Sequence, residues 1–175
     1  MNIKDLPFLP QYFDAYIVRI PDDISLADAF EQYSPEKIFG DTDNLLRLGD
    51  RVYAPRKWTV KDILQHCIDT ERIMSFRALC ISRGETVSLP GFEEKTYAQN
   101  TVAASRTVED LLEEYKTVRS ATEMLFQHMS RDMILRVGTA NNLRITPLAL
   151  AFMLLGHAVH HKIVLEERYY PIISQ

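Results

Sequence analysis

Histidines are the residues of this chain best suited to chemistry, because imidazole binds divalent metals and exchanges protons near neutral pH. His157 and His161 lie four positions apart in a segment with a helical pattern. On a helix this spacing places both side chains on one face, one turn apart. Leu150, Leu154 and Val164 continue the same line, so both imidazoles are expected to face the core. Buried imidazoles are costly unless bonded, and a divalent metal ion would satisfy both.

His66 is the third candidate ligand. On its own predicted helix it shares a polar line with Thr70 and Arg77, at the edge of the apolar face. If that helix neighbours the last one, His66 can meet His157 and His161. Three neutral imidazoles would hold Zn²⁺ or Ni²⁺ and leave positions for water or a substrate.

The spacing alone leaves other pairings open. His160 is three positions from His157, and helical positions three and four apart are both neighbours. The apolar line favours His161 as the ligand. His160 shares its line with Gly156, so we predict a helix–helix or dimer contact there. His128, near the end of its predicted helix, is expected to be a cation beside the helix dipole.

A His-x-x-x-His pair is a weak signal, and the alternative is histidines at the core edge that bond to backbone or carboxylate groups. Asp69 and Glu71 are typical helix-surface charges, although either could orient His66 as a hydrogen-bond partner. Other catalytic motifs are missing from the sequence: it has no glycine-rich phosphate loop, no Cys-x-x-Cys and no Gly-x-Ser-x-Gly.

The elements that would position these residues are helical. Thr59, Thr107 and Thr146-Pro147 are N-terminal helix signals, and one-sided apolar stripes with a period of 3.6 residues follow them. No segment with strand-like alternation competes. The pattern predicts an all-α protein, a four-helix bundle, with helices over about 24–48 (where Pro35 is a candidate break), 59–83, 107–130 and 147–168.

Two connections are unusual for such a bundle. Residues 84–106 form a predicted loop that contains Leu89-Pro90-Gly91-Phe92, and loops of this length often cover sites. Residues 1–21 are rich in proline and aromatic side chains, and we expect them to form an extended N-terminal arm on the bundle. The length of 175 residues suits a single domain, 1–175.

Composition limits the function classes. The formal net charge of −4 argues against nucleic-acid binding, which needs a clustered basic face. No run of 18 apolar residues and no signal-peptide pattern is present, so no membrane partner is expected. We interpret Cys67 and Cys80 as buried thiols, which favours a reducing cytoplasm.

Two groups of residues resemble the DinB/YfiT-like family. The first is Trp58-Thr59-Val60-Lys61-Asp62, Leu64-Gln65-His66 and Asp69-Thr70-Glu71-Arg72, similar to the family's second-helix signature. The second is Gly156-His157 with His160-His161, similar to its last-helix motif. Arg77-Ala78-Leu79, Arg83-Gly84 and Leu89-Pro90-Gly91-Phe92 resemble one subgroup. The match covers roughly residues 24–168.

The resemblance implies a four-helix bundle in up-down-down-up order, a three-histidine metal site and commonly a homodimer. His66, His157 and His161 match the metal ligands one by one. For activity, the resemblance implies a thiol-dependent transferase or isomerase, as in family members with assigned activities, or a metal-dependent hydrolase, as proposed for others. Ser34-Pro35, Gly40 and Gly49 depart from the usual first helix.

These observations predict a cytoplasmic, metal-dependent enzyme that acts on a small molecule. It would be a hydrolase or an S-transferase that uses a low-molecular-weight thiol. The nucleophile would be a metal-bound water or thiol, with no protein nucleophile assigned. Arg77 could anchor an anionic substrate group, and Phe92 or Tyr97 of the 84–106 loop could face the substrate. The alternative is a helical metal-binding or stress-response module without turnover.

Overall fold

Residues 1–173 are described by a computed structural model. Within that range the chain forms nine α-helices and one two-stranded hairpin, with short 3₁₀ turns at Ile3–Asp5, Ala103–Ser105 and Tyr170–Ile172. In chain order the elements are α1 (Asp14–Ile17), α2 (Leu26–Gln32), α3 (Pro35–Ile38), α4 (Thr42–Leu48), α5 (Val60–Ser82), α6 (Glu94–Gln99), α7 (Val108–Gln127), α8 (Arg131–Ile134), β1 (Gly138–Ala140), β2 (Leu143–Ile145) and α9 (Pro147–Val164).

The three long helices begin at capping side chains that the sequence predicts. Thr59 accepts a hydrogen bond from the amide of Asp62, and the Asp62 carboxylate accepts one from the amide of Thr59, which forms a capping box. Thr107 caps α7, and Thr146 caps α9 ahead of Pro147. These caps satisfy amides that have no partner within the helix and so fix where each helix starts.

The first bundle helix is divided into α2, α3 and α4, which corrects the prediction of a helix over 24–48. Ser34 and Asp41 each cap a new helical turn with their side chains. Pro35 has no amide proton to continue α2, so it occupies the first turn of α3 instead. The break predicted at Pro35 is therefore present, and a second one follows at Gly40.

Contacts along the helices give their directions. Arg106, just before α7, donates to Gln65 early in α5 (3.0 Å), and Ser75 bonds Thr122 further along both helices (2.9 Å). Residue numbers rise together on the two helices, so α5 and α7 run parallel. A parallel pair needs a long crossing connection, and residues 83–107 provide it.

The other two bundle helices run in the opposite direction. Phe30 packs on Phe126, and Phe39 packs on Tyr115, so the α2–α4 segment is antiparallel to α7. The hydroxyl of Tyr169, in the π-helical turn that continues α9, donates to the carbonyl of Trp58 ahead of α5, at 2.6 Å. The bundle order is therefore up-down-down-up, as the resemblance implies.

The last helix lies at the centre of the core. All residues of α9 from Pro147 to Ala158 are buried. By length and composition alone the stretch Pro147–Ile172 could cross a membrane, because an 18-residue window within it has a mean hydropathy of 1.6, but 72% of that window is buried inside the protein. Its apolar character is accounted for by core packing.

The connections contain more secondary structure than predicted. The 84–106 loop includes α6 and a 3₁₀ turn, and the 1–21 arm includes α1 and a 3₁₀ turn rather than being extended throughout. A hairpin of β1 and β2 was also not predicted. Asn141 and Asn142 form its turn with φ values of 49° and 60°, the left-handed conformation that two-residue hairpin turns need. Three-residue strands are too short to show alternation.

Both cysteines are free. Cys67 is buried, as predicted, and burial raises the pKa of its thiol. Cys80 is only half-buried, which corrects the expectation that both thiols are enclosed.

Candidate metal centre

Three histidines from two antiparallel helices meet inside the bundle. His66 lies on the second turn of α5, and His157 and His161 lie one turn apart on α9. All three side chains are buried, and their nearest ring nitrogens all lie within 4.8 Å of one another. The structure thus brings together the three residues that the sequence selected.

The geometry of the cluster is that of a ligand set. The Nε2 atom of His157 lies 3.0 Å from Nε2 of His66 and 3.2 Å from Nε2 of His161. Three nitrogens at tetrahedral Zn–N distances of about 2.0–2.1 Å from one ion would be about 3.3 Å apart. The observed separations are close to that value.

Hydrogen bonds alone satisfy the cluster poorly. A neutral imidazole nitrogen carries either one proton or one lone pair. Nε2 of His157 faces two other Nε2 atoms, so at most one of these two contacts can be a well-formed hydrogen bond through that proton or lone pair. One divalent ion would accept a lone pair from all three nitrogens at once, so the donor set fits a metal.

The environment keeps the rings neutral, which is the protonation state that binds metals. Burial lowers the pKa of His66 to about 4. Burial, together with neighbouring imidazoles, lowers the pKa values of His157 and His161 well below the usual value. Among residues 1–173 no carboxylate forms a hydrogen bond or ion pair with these three rings that would offset the desolvation of an imidazolium.

Aromatic rings enclose the cluster. The indole of Trp58, just before α5, packs on His66 with ring centroids 4.8 Å apart. Tyr16 of α1 packs edge-on against His157 at 5.3 Å. Gly156 allows this approach, because a Cβ atom there would lie 1.9 Å from the carbonyl oxygen of Tyr16.

The two remaining histidines lie outside the cluster. The ring of His160 packs against Tyr16 at 5.6 Å, in the helix–helix contact that the Gly156 line predicts. His128 is the exposed C-cap of α7, where a cation beside the helix dipole was expected. Neither residue belongs to the converging group, although the ring of His160 packs against that of His161 with centroids 5.1 Å apart.

The carboxylates expected beside His66 have other partners. Glu71 is buried and receives two hydrogen bonds of 2.8 Å from the guanidinium of Arg119. Asp69 accepts a hydrogen bond from the amide of Gln65, at 2.9 Å. The prediction that either residue orients His66 is therefore corrected, because Glu71 is bound to Arg119 of α7 and Asp69 to Gln65 of its own helix.

Thr70 is one turn from His66 on the same helix. Its hydroxyl oxygen is buried and has no hydrogen-bond partner among residues 1–173. Its position one turn after His66 keeps it a candidate polar contact for the site.

Arg77 does not lie at the site. It is eleven residues beyond His66, which is about 16 Å along a helix axis. Its guanidinium donates to the carbonyl of Pro90 at 2.6 Å and lies over the ring of Phe92 at 5.9 Å. Arg77 therefore secures the 89–92 turn, which corrects its predicted role as a substrate anchor.

Phe92 and Tyr97 pack on each other, with ring centroids 5.3 Å apart. Phe92 lines a cavity together with Arg77, and Tyr97 lines a separate groove beside Asp69. Neither lines the cleft at the histidines, so the two aromatic residues of the 84–106 segment are not placed to face a substrate there.

A cleft of about 600 Å³ opens beside the cluster through His161. Its walls come from the segment before α5, from α6 and from the end of α9, and its lining residues are Tyr53, Arg56, Lys57, Trp58, Ile63, Lys95, Gln99, His160, His161, Val164 and Tyr169. Most of these residues carry no signal in the sequence that predicts a site. The dipeptide Arg56-Lys57 directly before Trp58 is the one local signal that could have indicated this wall.

Comparison with known proteins agrees with this architecture. The fold and the cluster define a class of protein: four-helix bundles with three histidines between the second and fourth helices. The family model of the DinB superfamily matches residues 22–165, so the protein belongs to the DinB superfamily. The resemblance seen in the sequence is thereby confirmed.

Among solved structures, YfiT from Bacillus subtilis is similar to this chain, with a TM-score of 0.74 and 16% sequence identity. The similarity covers 87% of this chain and 92% of YfiT. YfiT is described as a probable metal-dependent hydrolase with an unusual four-helix bundle topology. At this identity the likeness establishes the shared fold. No curated protein matches the sequence significantly.

Proposed function

We propose that this protein is a metal-dependent enzyme that binds one divalent ion through His66, His157 and His161 and acts on a small molecule. The observation that carries the proposal is the convergence of three neutral, buried Nε2 atoms beside an open cleft. Zinc in catalytic sites has three protein ligands and leaves a fourth position for water or substrate. The number of histidines here leaves such a position.

The bound ion would act as a Lewis acid, lowering the pKa of a water or thiol and polarising the substrate. The protein would keep the three imidazoles neutral and hold their rings in the orientation in which the Nε2 atoms converge. Trp58 and Tyr16 restrict the rings of His66 and His157 from either side. His161 faces the cleft, so a substrate would approach along its side of the cluster.

Two reaction classes fit this site. Hydrolysis is favoured by the fold shared with YfiT and by the description of that protein as a metal-dependent hydrolase. Transfer of a low-molecular-weight thiol is the reaction that the family resemblance implies. Both use a nucleophile activated by the same metal, so the three ligands serve either reaction.

Metal binding is tested first, by titrating the full-length apo-protein with Zn²⁺ and with Ni²⁺ in a calorimeter. We expect one ion per chain, and loss of stoichiometric binding in His161→Ala. His160→Gln and His128→Ala are matched controls that should still bind one ion. If His160→Gln loses the metal and His161→Gln keeps it, the ligand assignment is exchanged.

Turnover is tested on the metal-loaded protein with 4-nitrophenyl acetate for hydrolysis and with monochlorobimane plus cysteine for thiol transfer. We expect one of the two activities to require the metal and to disappear in His161→Ala. Metal binding with neither activity would contradict the expectation for these probes and favour a non-catalytic metal-binding module.

A further inference from the structure

Three basic side chains line the cleft beside His161. Arg56 and Lys57 precede α5, and Lys95 lies on α6. The lining of the cleft within residues 1–173 includes no aspartate or glutamate. The chain as a whole carries a net charge of −4, so this local excess of positive charge runs against the overall balance.

These three cations take no part in the ion pairs within 4.0 Å that the described residues form. Lys61, by contrast, which is only four positions after Lys57, pairs with Asp50 at 2.8 Å. Charges of one sign on the walls of a cleft raise the local concentration of ions of the opposite sign.

Aromatic side chains form the apolar part of the same cleft. The rings of Tyr53 and Tyr169 pack edge to face at 5.0 Å, and Lys57 lies 5.6 Å from the centre of the Tyr53 ring. The hydroxyl of Tyr169 donates to the carbonyl of Trp58, which ties this wall to the segment that covers His66. The aromatic surface is therefore held in place and is continuous with the histidine cluster.

We infer that the cleft binds a small organic anion, with its carboxylate or phosphate group against Arg56, Lys57 and Lys95. The apolar body of the ligand packs on Tyr53 and Trp58, which directs its remaining end toward the three histidines. That the bound anion is a substrate rests on the proposed function, whereas the binding itself requires only the cleft. The cationic anchor expected at Arg77 is thus supplied by other residues.

The test uses Trp58, the single tryptophan of the chain, as a reporter in the cleft. Its fluorescence is followed while the full-length protein is titrated with phenylphosphonate, with benzoate and with uncharged benzyl alcohol. Titrations are repeated after chelation, so that binding to a metal is separated from binding to the cleft. We expect at least one anion to bind, with a Kd that rises with salt, and benzyl alcohol to bind more weakly.

Removing the cations should weaken anion binding. Arg56→Gln, Lys57→Gln and Lys95→Gln should each raise the Kd by about two- to fivefold, and the triple variant by about tenfold or more. The matched control is a triple variant of exposed lysines outside the cleft, Lys4→Gln, Lys37→Gln and Lys116→Gln, which should change the Kd less than twofold. If the triple variant does not fold, the single variants still provide the test, because each should raise the Kd for the anion.

Two results would overturn the inference: equal affinity for benzyl alcohol and the anions, or equal loss of affinity in both triple variants. Metal stoichiometry is measured on the same samples. Anion binding without metal binding would reject the proposed function and support this inference. Metal binding without a preference for anions would support the proposed function and reject this inference.

Discussion

Each of the three clustered histidines must be neutral to bind a metal ion. Water would normally solvate a protonated ring, but His66, His157 and His161 are buried and face one another. Protonating one ring would place a charge in a desolvated site beside two further bases. The same enclosure that favours a metal therefore makes the metal-free protein sensitive to acid.

The pH dependence of stability follows from the lowered pKa of His66, which is about 4 in the folded protein and near 6.5 in the unfolded chain. Between these values the unfolded state binds more protons, so the free energy of unfolding falls as the pH falls from about 6.5 toward 4. The loss from this ring alone is about 3 kcal/mol. Urea denaturation at pH 7 and pH 4.5, with a chelator present, measures it.

The matched variant His66→Gln removes this titration. It should show a smaller drop in the urea midpoint between the two pH values than the wild type, because Gln does not bind a proton. An identical drop in both proteins would mean that His66 is not the source of the acid sensitivity.

At the scale of elements, α9 meets α1 at a position without a side chain. Gly156 lies on one line of α9 and His160 on the same line one turn later, and both face Tyr16. Glycine weakens a helix interior by about 1 kcal/mol relative to alanine. The close approach of the α1 backbone is the reason for its presence here.

Gly156→Ala tests which of these two effects is larger. A Cβ atom at this position would lie 1.9 Å from the carbonyl oxygen of Tyr16, a backbone atom that cannot rotate away. Overpacking of this kind costs about 1–3 kcal/mol, which exceeds the gain in helix propensity. Thermal unfolding should show a lower Tm than in the wild type. A higher Tm would mean that α1 moves away without cost.

On the scale of the whole molecule, a buried ion pair links α5, α7 and the end of α2. The guanidinium of Arg119 on α7 donates to both carboxylate oxygens of Glu71 on α5 and to the carbonyl of Tyr33 at the end of α2, each at 2.8 Å. Burial alone would lower the pKa of Arg119, but the charge of Glu71 raises it above the usual value, so the guanidinium stays charged.

Arg119→Ala should therefore leave a buried carboxylate unpaired and lower the free energy of unfolding by about 3–5 kcal/mol. Lys116→Ala, one turn away on the same helix but in exposed ion pairs, is the control and should change it by less than about 1 kcal/mol. Chemical denaturation compares the two. The double variant Glu71→Met with Arg119→Met should be more stable than Arg119→Ala, since no charge is left buried. Equal losses in Arg119→Ala and Lys116→Ala would exclude a special role for the pair.

The sequence by itself determined the parts that depend on local periodicity. Thr59, Thr107 and Thr146-Pro147 start helices because capping is a contact between near neighbours. His157 and His161 share a face because their spacing matches one helical turn. The helical fold class and the shared face of two candidate metal ligands therefore follow from the sequence, and His66 is added by the resemblance to the family.

Only the tertiary structure decided which residues surround those ligands. Glu71 is adjacent to the motif in sequence but pairs with Arg119, 48 positions away, and Arg77 secures Pro90 rather than a substrate. Lys95 reaches the cleft because α6 folds back over it, a placement that no periodicity encodes. Side chains on different elements meet through packing and charge pairing, and spacing along the chain carries no record of those long-range contacts.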